Sequence, residues 1–405
     1  MELQLSHSSA ICEGAIQITG SKSETNRLLL LQALYPEIEI KNGSASDDSV
    51  AMTQALISNA TTIDIHHAGT AMRFLTAYFS IQRGRQVVLT GSQRMQERPI
   101  RILVEALQSL GAQITYQKEE GYPPLLIQGT TLNKKDVTLS AQVSSQYITA
   151  LMLIAPRLPK GLSLHLEGKI TSMPYLKMTQ ALLESLGIAV VFEGQTIRIA
   201  PAKEVNAILQ VVESDWSSAS YFFSLVALAK KAKINLRSYK KESLQGDSGL
   251  MKIYEQLGVA SHIAGETLYL EKKPMEEKKH LKLDLATMPD IAQTIAVTCY
   301  GLGISCDLYG LHTLKIKETD RLVALHTELS KLGAQIQVTQ NSLHLQPGSN
   351  FVEGVRIATY NDHRMAMAFA PLALKVPLAI EDPGVVSKSF PTFWDDLQTL
   401  QFVVN

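Results

Sequence analysis

Cations crowd the mouths of the helices that this sequence predicts. The stretch G-S-K-S-E-T-N-R at residues 20–27 runs straight into L-L-L-L-Q-A-L, which places Lys22, Ser23 and Arg27 at the opening of an apolar helix. It is not a nucleotide phosphate loop, because no glycine stands at the upstream position that pattern requires. Similar polar clusters open other helices: A-G-T-A-M-R from Ala68, Q-R-M-Q-E-R-P from Gln93, V-S-S-Q from Val143, S-M-P-Y from Ser172, M-P-D from Met288, K-E-T-D-R from Lys317 and N-D-H-R from Asn361. Taken singly, each is a cap, since Ser, Thr, Asp and Asn oxygens satisfy the first free amides of a helix. Capping does not ask for cations, however, and a cation there opposes the helix dipole. Lys22, Arg27, Arg94, Lys317, Arg321 and Arg364 all stand at such ends. Their number points to convergence on the phosphates and carboxylates of an anionic ligand. Asp290 and Glu318 lie among them, and a carboxylate so placed stays ionised and can exchange a proton with a reacting group. A salt bridge to a neighbouring cation is the simpler use of either acid alone.

The elements that would position these residues come from a repeat. Four segments share one form: E-A-L-Q-S-L-G-A-Q-I-T-Y-Q, A-L-L-E-S-L-G-I-A-V-V-F-E, K-I-Y-E-Q-L-G-V-A-S-H-I-A and T-E-L-S-K-L-G-A-Q-I-Q-V-T. Each reads as a helix, a glycine that caps it in the left-handed conformation, and a strand. The glycines are Gly111, Gly187, Gly258 and Gly333, 76, 71 and 75 residues apart. Fainter copies flank them at A-L-I-S-N-A-T-T-I-D-I around Asn59 and at D-D-L-Q-T-L-Q-F-V-V near the C-terminus. The spacing is too long for a short-repeat solenoid, so each copy is a small β/α unit. Three units pack into a domain and the domain is duplicated. The expected architecture is α/β (α+β): an N-terminal three-repeat domain over residues 21–212, and a C-terminal one formed by residues 1–20 plus 213–405. A cleft between them is the expected ligand site.

Composition narrows the function classes. The 405 residues are 45% apolar, 6% aromatic and 19% charged, as in ordinary globular proteins, and are too many for a single core. Lys+Arg and Asp+Glu balance at 38 each, so no overall basic excess argues for nucleic acid or an anionic membrane. The start M-E-L-Q-L-S-H-S-S-A has neither the basic region nor the apolar run of a signal peptide, and no segment approaches 18 uninterrupted apolar residues, so a cytoplasmic protein is expected. Cys12, Cys299 and Cys306 lack metal-ligand spacing and read as thiols in a reducing compartment. No metal is expected, and with no obvious exposed apolar helix the expected state is a monomer.

The motifs, taken in order, resemble one family. G-S-K-S-x-x-N-R, A-G-T-A-M-R, R-M-x-E-R-P-I, S-S-Q-Y-I-T-A-L, S-x-P-Y, D-W-S-S-A-S-Y-F, P-D-I-A-x-T, K-E-T-D-R, N-D-H-R-M-A-M and K-S-F-P resemble those of 5-enolpyruvylshikimate-3-phosphate synthases from residue 20 to residue 391. The resemblance implies two domains of three β/α repeats, an inside-out α/β barrel in each, facing across a closing cleft. It implies transfer of the enolpyruvyl group of phosphoenolpyruvate to the 5-hydroxyl of shikimate 3-phosphate, without metal or organic cofactor. Carried over by motif, Ser23, Arg27 and Tyr175 hold the shikimate carboxylate. Ser144, Ser145, Ser172 and Lys317 bind the 3-phosphate, and Gln146 reaches between both ligands. Lys22, Arg94 and Lys388 take the phosphate of phosphoenolpyruvate beside Gly69, and Arg321 and Arg364 clamp its carboxylate. Asp290 is the implied base and Glu318 the implied acid, with Lys22 near both reacting groups, and Asp290 and Lys22 are also implied contacts of shikimate 3-phosphate.

Three positions depart from the family pattern. His67 precedes A-G-T, Phe74 follows A-M-R where proline is common, and Thr313 replaces an asparagine found in some relatives. Two alternatives stand beside this reading. A related transferase acting on UDP-N-acetylglucosamine carries a reactive cysteine in a mobile loop, whereas G-S-Q-R-M-Q-E-R-P here contains none. A non-catalytic anion-binding relative would gain nothing from keeping two acids among its anions.

Overall fold

A computed structural model describes residues 2–140, 144–168, 170, 173–275, 280–348 and 350–405. The chain divides into two compact units, Gly20–Val212 and Met1–Thr19 with Glu213–Asn405, each with its own apolar core. Among the described residues no helix is long and apolar enough to cross a membrane.

One sheet pattern recurs five times. In the first unit, strand Thr62–Asp64 runs parallel to Gln86–Thr90, which pairs antiparallel with Leu125–Gln128, itself antiparallel to Gln113–Tyr116. Asp136–Ser140, Leu162–Glu167, Thr196–Ile199 and Val190–Glu193 repeat that order. The second unit does so with Leu281–Asp284, Cys306–Tyr309, Leu343–Leu345 and Ile336–Val338, and again with Ile11–Ile16, Lys231–Arg237, Thr267–Lys272 and Val259–Ala264. Its third sheet is closed by the chain start: Glu2–Ser6 fills the place between Leu378–Glu381 and Val403–Val404, with Arg356–Ile357 beyond. Each of these five sheets is therefore a parallel pair joined to an antiparallel pair, which is a hairpin in four of them and is made by the two chain ends in the fifth.

Among the described residues the sixth sheet has only two strands, Ile38–Lys41 parallel to Ile208–Val211. This corrects the reading of the copy around Asn59. Only four residues separate the helix Asp47–Ile57 from Thr62–Asp64, too few for a hairpin, and that strand joins the next sheet rather than its own. Elsewhere the Leu-Gly ends behave as the sequence reads. Gly111 caps Arg101–Leu110 at φ 108°, and Gly187, Gly258 and Gly333 take φ of 83°, 79° and 100°, a region costly for residues with a Cβ. In the C-terminal copy Gln401 takes φ 69° in the same place.

Helices fill the inside of each unit and sheets cover it. Every residue of Trp216–Leu228 and of His363–Phe369 is buried, and all but one of Gly69–Ser80. Helices apolar on all sides must be enclosed. The covering strands alternate instead, as in Lys231–Arg237, where Ala232, Ile234 and Leu236 point inward. This inside-out layering leaves helix ends, rather than side chains along the helices, as the exits from each core. The polar clusters of the sequence lie at those ends.

Candidate active site

In the first unit the polar cluster gathers at helix starts. Ser21 caps Lys22–Leu34, its hydroxyl accepting from the Glu24 amide at 3.4 Å. Lys22, the first helical residue, is partly exposed and lies 3.9 Å from Asp48. Arg27, one turn in, is 3% exposed and holds three helices together. It donates to Thr179 Oγ1 at 2.8 Å, to Thr149 Oγ1 at 3.4 Å, to the Tyr175 carbonyl at 3.3 Å and to the Ser23 carbonyl at 2.6 Å. The Phe74 and Tyr175 rings each lie 5.7 Å from its guanidinium. Burial lowers its pKa to about 10, so it remains charged. Phe74, the residue standing where proline is common in the family, is fully buried. Ser144 caps Ser145–Ile154 and accepts from the Gln146 amide at 3.3 Å; the Gln146 side chain reaches Thr70 Oγ1 at 3.4 Å. Ser145, Gln146, Gly69 and Thr70 thus meet where two helices open. Tyr175 is in the first turn of Met173–Ser185, while Ser172 lies outside the described residues.

Arg94 does not join this group. It is 54% exposed and pairs with Glu97 at 3.2 Å. The neighbouring Arg98 is the residue at the helix mouth: a Cβ on Gly69 would fall 2.6 Å from Arg98 Nη1. Only glycine lets that guanidinium lie against the first turn of Gly69–Ser80, beside the free amides of a helix start. Arg73 supports the arrangement from beneath, donating to the Gly69 and Pro99 carbonyls at 3.1 Å each. His67 lies at the edge, 2.7 Å from His66 Nδ1 and 3.7 Å from Asp47.

The second unit builds a denser group. Arg321 opens the helix Arg321–Lys331 behind the cap Asp320. Its Nε donates to Asp362 Oδ2 at 2.6 Å, Nη1 to Asp290 Oδ1 at 3.0 Å and Nη2 to Glu318 Oε2 at 2.8 Å. Arg364 Nη2 lies 3.2 Å from Asp290 Oδ2, Lys317 Nζ 3.5 Å from Asp290 Oδ1, and Lys388 Nζ 2.9 Å from Glu318 Oε1. Lys317 does not stand at a helix start as the sequence suggests; it follows the short 3-10 turn His312–Ile316, four residues before Arg321. Asp362 does two jobs, since it also caps His363–Phe369 by accepting from the Arg364 amide at 2.9 Å. The negative partners that the helix-mouth cations call for are here the protein's own carboxylates.

These charges tune one another. Burial alone would raise the Asp290 pKa, but Arg364, Lys317 and Arg321 outweigh it and hold the carboxyl well below its usual range. Arg321 and Arg364 are raised in turn by their acids, against burial. Behind them, Ser217 Oγ donates to Asp247 and receives Arg364 Nη2 at 3.4 Å. The Asp247 carboxyl is pushed up to about 7, chiefly by burial and then by Asp290, with Ser217 and Arg364 acting the other way.

A raised carboxyl has a definite consequence for stability. The unfolded chain loses this proton near pH 3.9, whereas the native state keeps it to about 7. Between those values the native state binds more protons, so stability falls as pH rises through the window and then levels off. The full displacement corresponds to about 4 kcal/mol. Asp247→Asn should flatten that decline in urea unfolding curves taken between about pH 4.5 and 8. Parallel pH curves for both proteins would exclude this account.

Asp362, Arg98 and Asp247 were not singled out in the sequence as site residues. Asp362 and Arg98 sit inside motifs already quoted, and the signal for Asp362 was present: an acid directly before a cation-bearing helix start.

The layering of sheets around buried helices defines an enolpyruvyl transferase fold. The chain superposes on an EPSP synthase of Acinetobacter baumannii with a TM-score of 0.81 at 21% identity, covering 100% of this chain and 99% of the other. It superposes on the enolpyruvyl transferase NikO of Streptomyces tendae with a TM-score of 0.75 at 14% identity, covering 100% and 98%. At such identities the likeness concerns the fold alone.

Sequence carries the assignment further. Residues 54–397 match the EPSP synthase (3-phosphoshikimate 1-carboxyvinyltransferase) family. The chain is 43% identical over 398 residues to a 3-phosphoshikimate 1-carboxyvinyltransferase of Bacteroides fragilis, covering 97% of this chain and 96% of the relative. It is 34% identical over 423 residues to the Mannheimia haemolytica protein of the same name, covering 96% of each. The chain belongs to the EPSP synthase family.

Proposed function

We propose that this protein transfers the enolpyruvyl group of phosphoenolpyruvate to the 5-hydroxyl of shikimate 3-phosphate, giving 5-enolpyruvylshikimate 3-phosphate and phosphate, on the route to chorismate and the aromatic amino acids. The observation that carries the reading is the second unit's cluster, where two acids, Asp290 and Glu318, are each held by cations suited to anionic substrates. The hydroxyl oxygen bonds to C2 of phosphoenolpyruvate and gives its proton to the Asp290 carboxylate, while C3 gains a proton from Glu318 in its protonated form. The resulting ketal breaks its C2–O bond to phosphate, the Glu318 carboxylate takes a proton back from C3 to restore the double bond, and the proton held by Asp290 leaves with the phosphate, so both acids return to their starting states.

Ser23, Arg27 and Tyr175 take the shikimate carboxylate; Ser144, Ser145, Ser172 and Lys317 take the 3-phosphate. Gln146 lies between the ligands. Lys22, Lys388 and Arg98, the last in place of Arg94, take the phosphate of phosphoenolpyruvate beside Gly69, and Arg321 with Arg364 take its carboxylate. Phosphoenolpyruvate then replaces the protein's own acids as partner to these arginines. That partial neutralisation raises Asp290 from its depressed value into a range where it can accept a proton. UDP-N-acetylglucosamine is disfavoured as the acceptor because the related transferase acting on it carries a reactive loop cysteine, whereas Cys12, Cys299 and Cys306 here are all fully buried, and burial pushes Cys12 up to about 12. The proposal takes the chain to act as a monomer.

Phosphate release from phosphoenolpyruvate, measured with and without shikimate 3-phosphate, tests the reading directly. Release should depend on shikimate 3-phosphate; none with any acceptor would leave an anion-binding module. Arg98→Ala should lower kcat/KM for phosphoenolpyruvate by about a hundredfold, and Arg94→Ala by less than about threefold. The reverse ranking would restore Arg94 to the site.

A further inference from the structure

Glu328 takes no part in the proposed reaction, yet its side chain is completely buried. It lies on the same helix as Arg321, seven residues on, so the two share a face two turns apart, about 10 Å along the axis. Both carboxylate oxygens are engaged. Oε1 accepts from the Tyr360 hydroxyl at 2.5 Å; Oε2 accepts from the Ala358 amide at 3.1 Å and the Lys331 ammonium at 2.7 Å. Arg321, at the other end of that face, grips Asp362. One helix therefore holds the segment 358–362 from both ends.

The segment has a reason to need holding. Tyr360 and Asn361 adopt φ of 53° and 55°, two successive non-glycine residues in the left-handed region. Backbone of this kind persists only where its surroundings over-determine it, and it concentrates at functional turns. Here the turn reverses the chain, with the Asp362 amide returning to the Thr359 carbonyl at 2.8 Å, and delivers Asp362 and Arg364 to the charged cluster. Burial and then the bond to Glu328 raise the Tyr360 hydroxyl to about 12, so it remains a donor at working pH.

We propose that Glu328 is a positioning residue that clamps the left-handed turn at 360–361 in the form that presents Asp362, and through it Arg321 and Arg364, to an anionic substrate. The identity of that substrate rests on the enolpyruvyl-transfer reading; the clamp does not.

The test uses the full chain and the variants Glu328→Ala, Glu328→Gln, Tyr360→Phe, Asn361→Gly and the double variant E328A/N361G. Glu328→Ala should raise KM for phosphoenolpyruvate about tenfold and leave KM for shikimate 3-phosphate within about threefold. Glu328→Gln, which keeps an acceptor, should stay within about threefold of the parent. Asn361→Gly should match the parent, and in the double variant it should recover part of the lost affinity, because glycine takes the left-handed form unaided at one of the two positions. Amide exchange at residues 360–362 should quicken about tenfold in Glu328→Ala and less in the double variant. If Glu328→Ala does not fold, Tyr360→Phe carries the test, with about a threefold change of the same pattern. Equal rises in both KM values, unchanged exchange, or no recovery by Asn361→Gly would overturn the proposal. Should the parent release no phosphate with shikimate 3-phosphate, the functional reading fails, and the exchange measurement still decides the clamp.

Discussion

Arg321→Lys, although it keeps the charge, is expected to lower kcat/KM for phosphoenolpyruvate by about a thousandfold or more. The reason is geometric. The planar guanidinium reaches Asp362 through Nε, Asp290 through Nη1 and Glu318 through Nη2, with a second contact from Nη2 to Asp362 Oδ1 at 3.4 Å. An ammonium has no fork that spans three carboxylates on different elements, and its shorter reach satisfies one or two of them. Asp362 is fully buried, so losing its Nε–H partner leaves a carboxylate with the helix amide and the more distant His363 ring, 3.7 Å away, against its desolvation. Removing one partner of a buried pair costs about 3–5 kcal/mol, and lysine should recover part of that. The denaturation midpoint should therefore fall together with activity. A lysine variant within about tenfold of the parent would show that Arg321 is not the hub of this group.

The same residue marks how far the sequence could be read. Cations at helix mouths stand out because they violate a local rule, and local rules are what a sequence displays. Lys22, Arg321 and Arg364 were found that way. The acids that answer them are ordinary caps and ion-pair formers in the sequence, and only the folded chain brings Asp362, 41 residues from Arg321, into contact with it. Arg94 lies in the short helix Gln93–Gln96 and Arg98 two residues beyond its end, so which of the two meets Gly69 depends on where that helix stops, with Ser92 capping its start and Arg73 holding Pro99 just after it. The turn at Tyr360 and Asn361 was hidden for a different reason: neither residue is glycine, and Asn361 alone is of a type enriched in the left-handed region, a weak signal for two successive residues there.

The repeated β/α units were legible for a related reason, whereas the inside-out layering followed only from the family resemblance. A helix ending in Leu-Gly and followed by an alternating strand is a contiguous signal, as at Gly111 and Gly333. Sheet membership is not contiguous. T-T-I-D-I satisfies a strand pattern, but its partner is Gln86–Thr90 in the following sheet, and the hairpin missing before it leaves no trace except a short connection. The first strand, Glu2–Ser6, falls within the residues 1–20 that the sequence reading joins to the C-terminal domain, but its sheet was not legible, because the other members come from the last 50 residues of the chain.

Asp290→Asn and Glu318→Gln should each depress kcat by about a hundredfold or more, equivalent to about 2.7 kcal/mol in the barrier, with substrate affinities kept. The charges give this prediction a sign that simple loss of a contact would not. Asp290 neutralises Arg364, Lys317 and Arg321, and Glu318 neutralises Lys388 and Arg321. Amidation leaves those cations more exposed to an incoming anion, so KM for phosphoenolpyruvate should stay the same or fall, while turnover drops. The pH profiles should separate in the same sense. In the free protein Asp290 is held well below its usual range and stays ionised at any working pH, so the acid limb of kcat/KM should carry no trace of it. With phosphoenolpyruvate sharing the arginines, the carboxyl rises, and the acid limb of kcat should report it and vanish in Asp290→Asn. Near-normal turnover in both amides would remove Asp290 and Glu318 from the proton transfers and leave them as counter-ions that keep the cluster folded until substrate arrives.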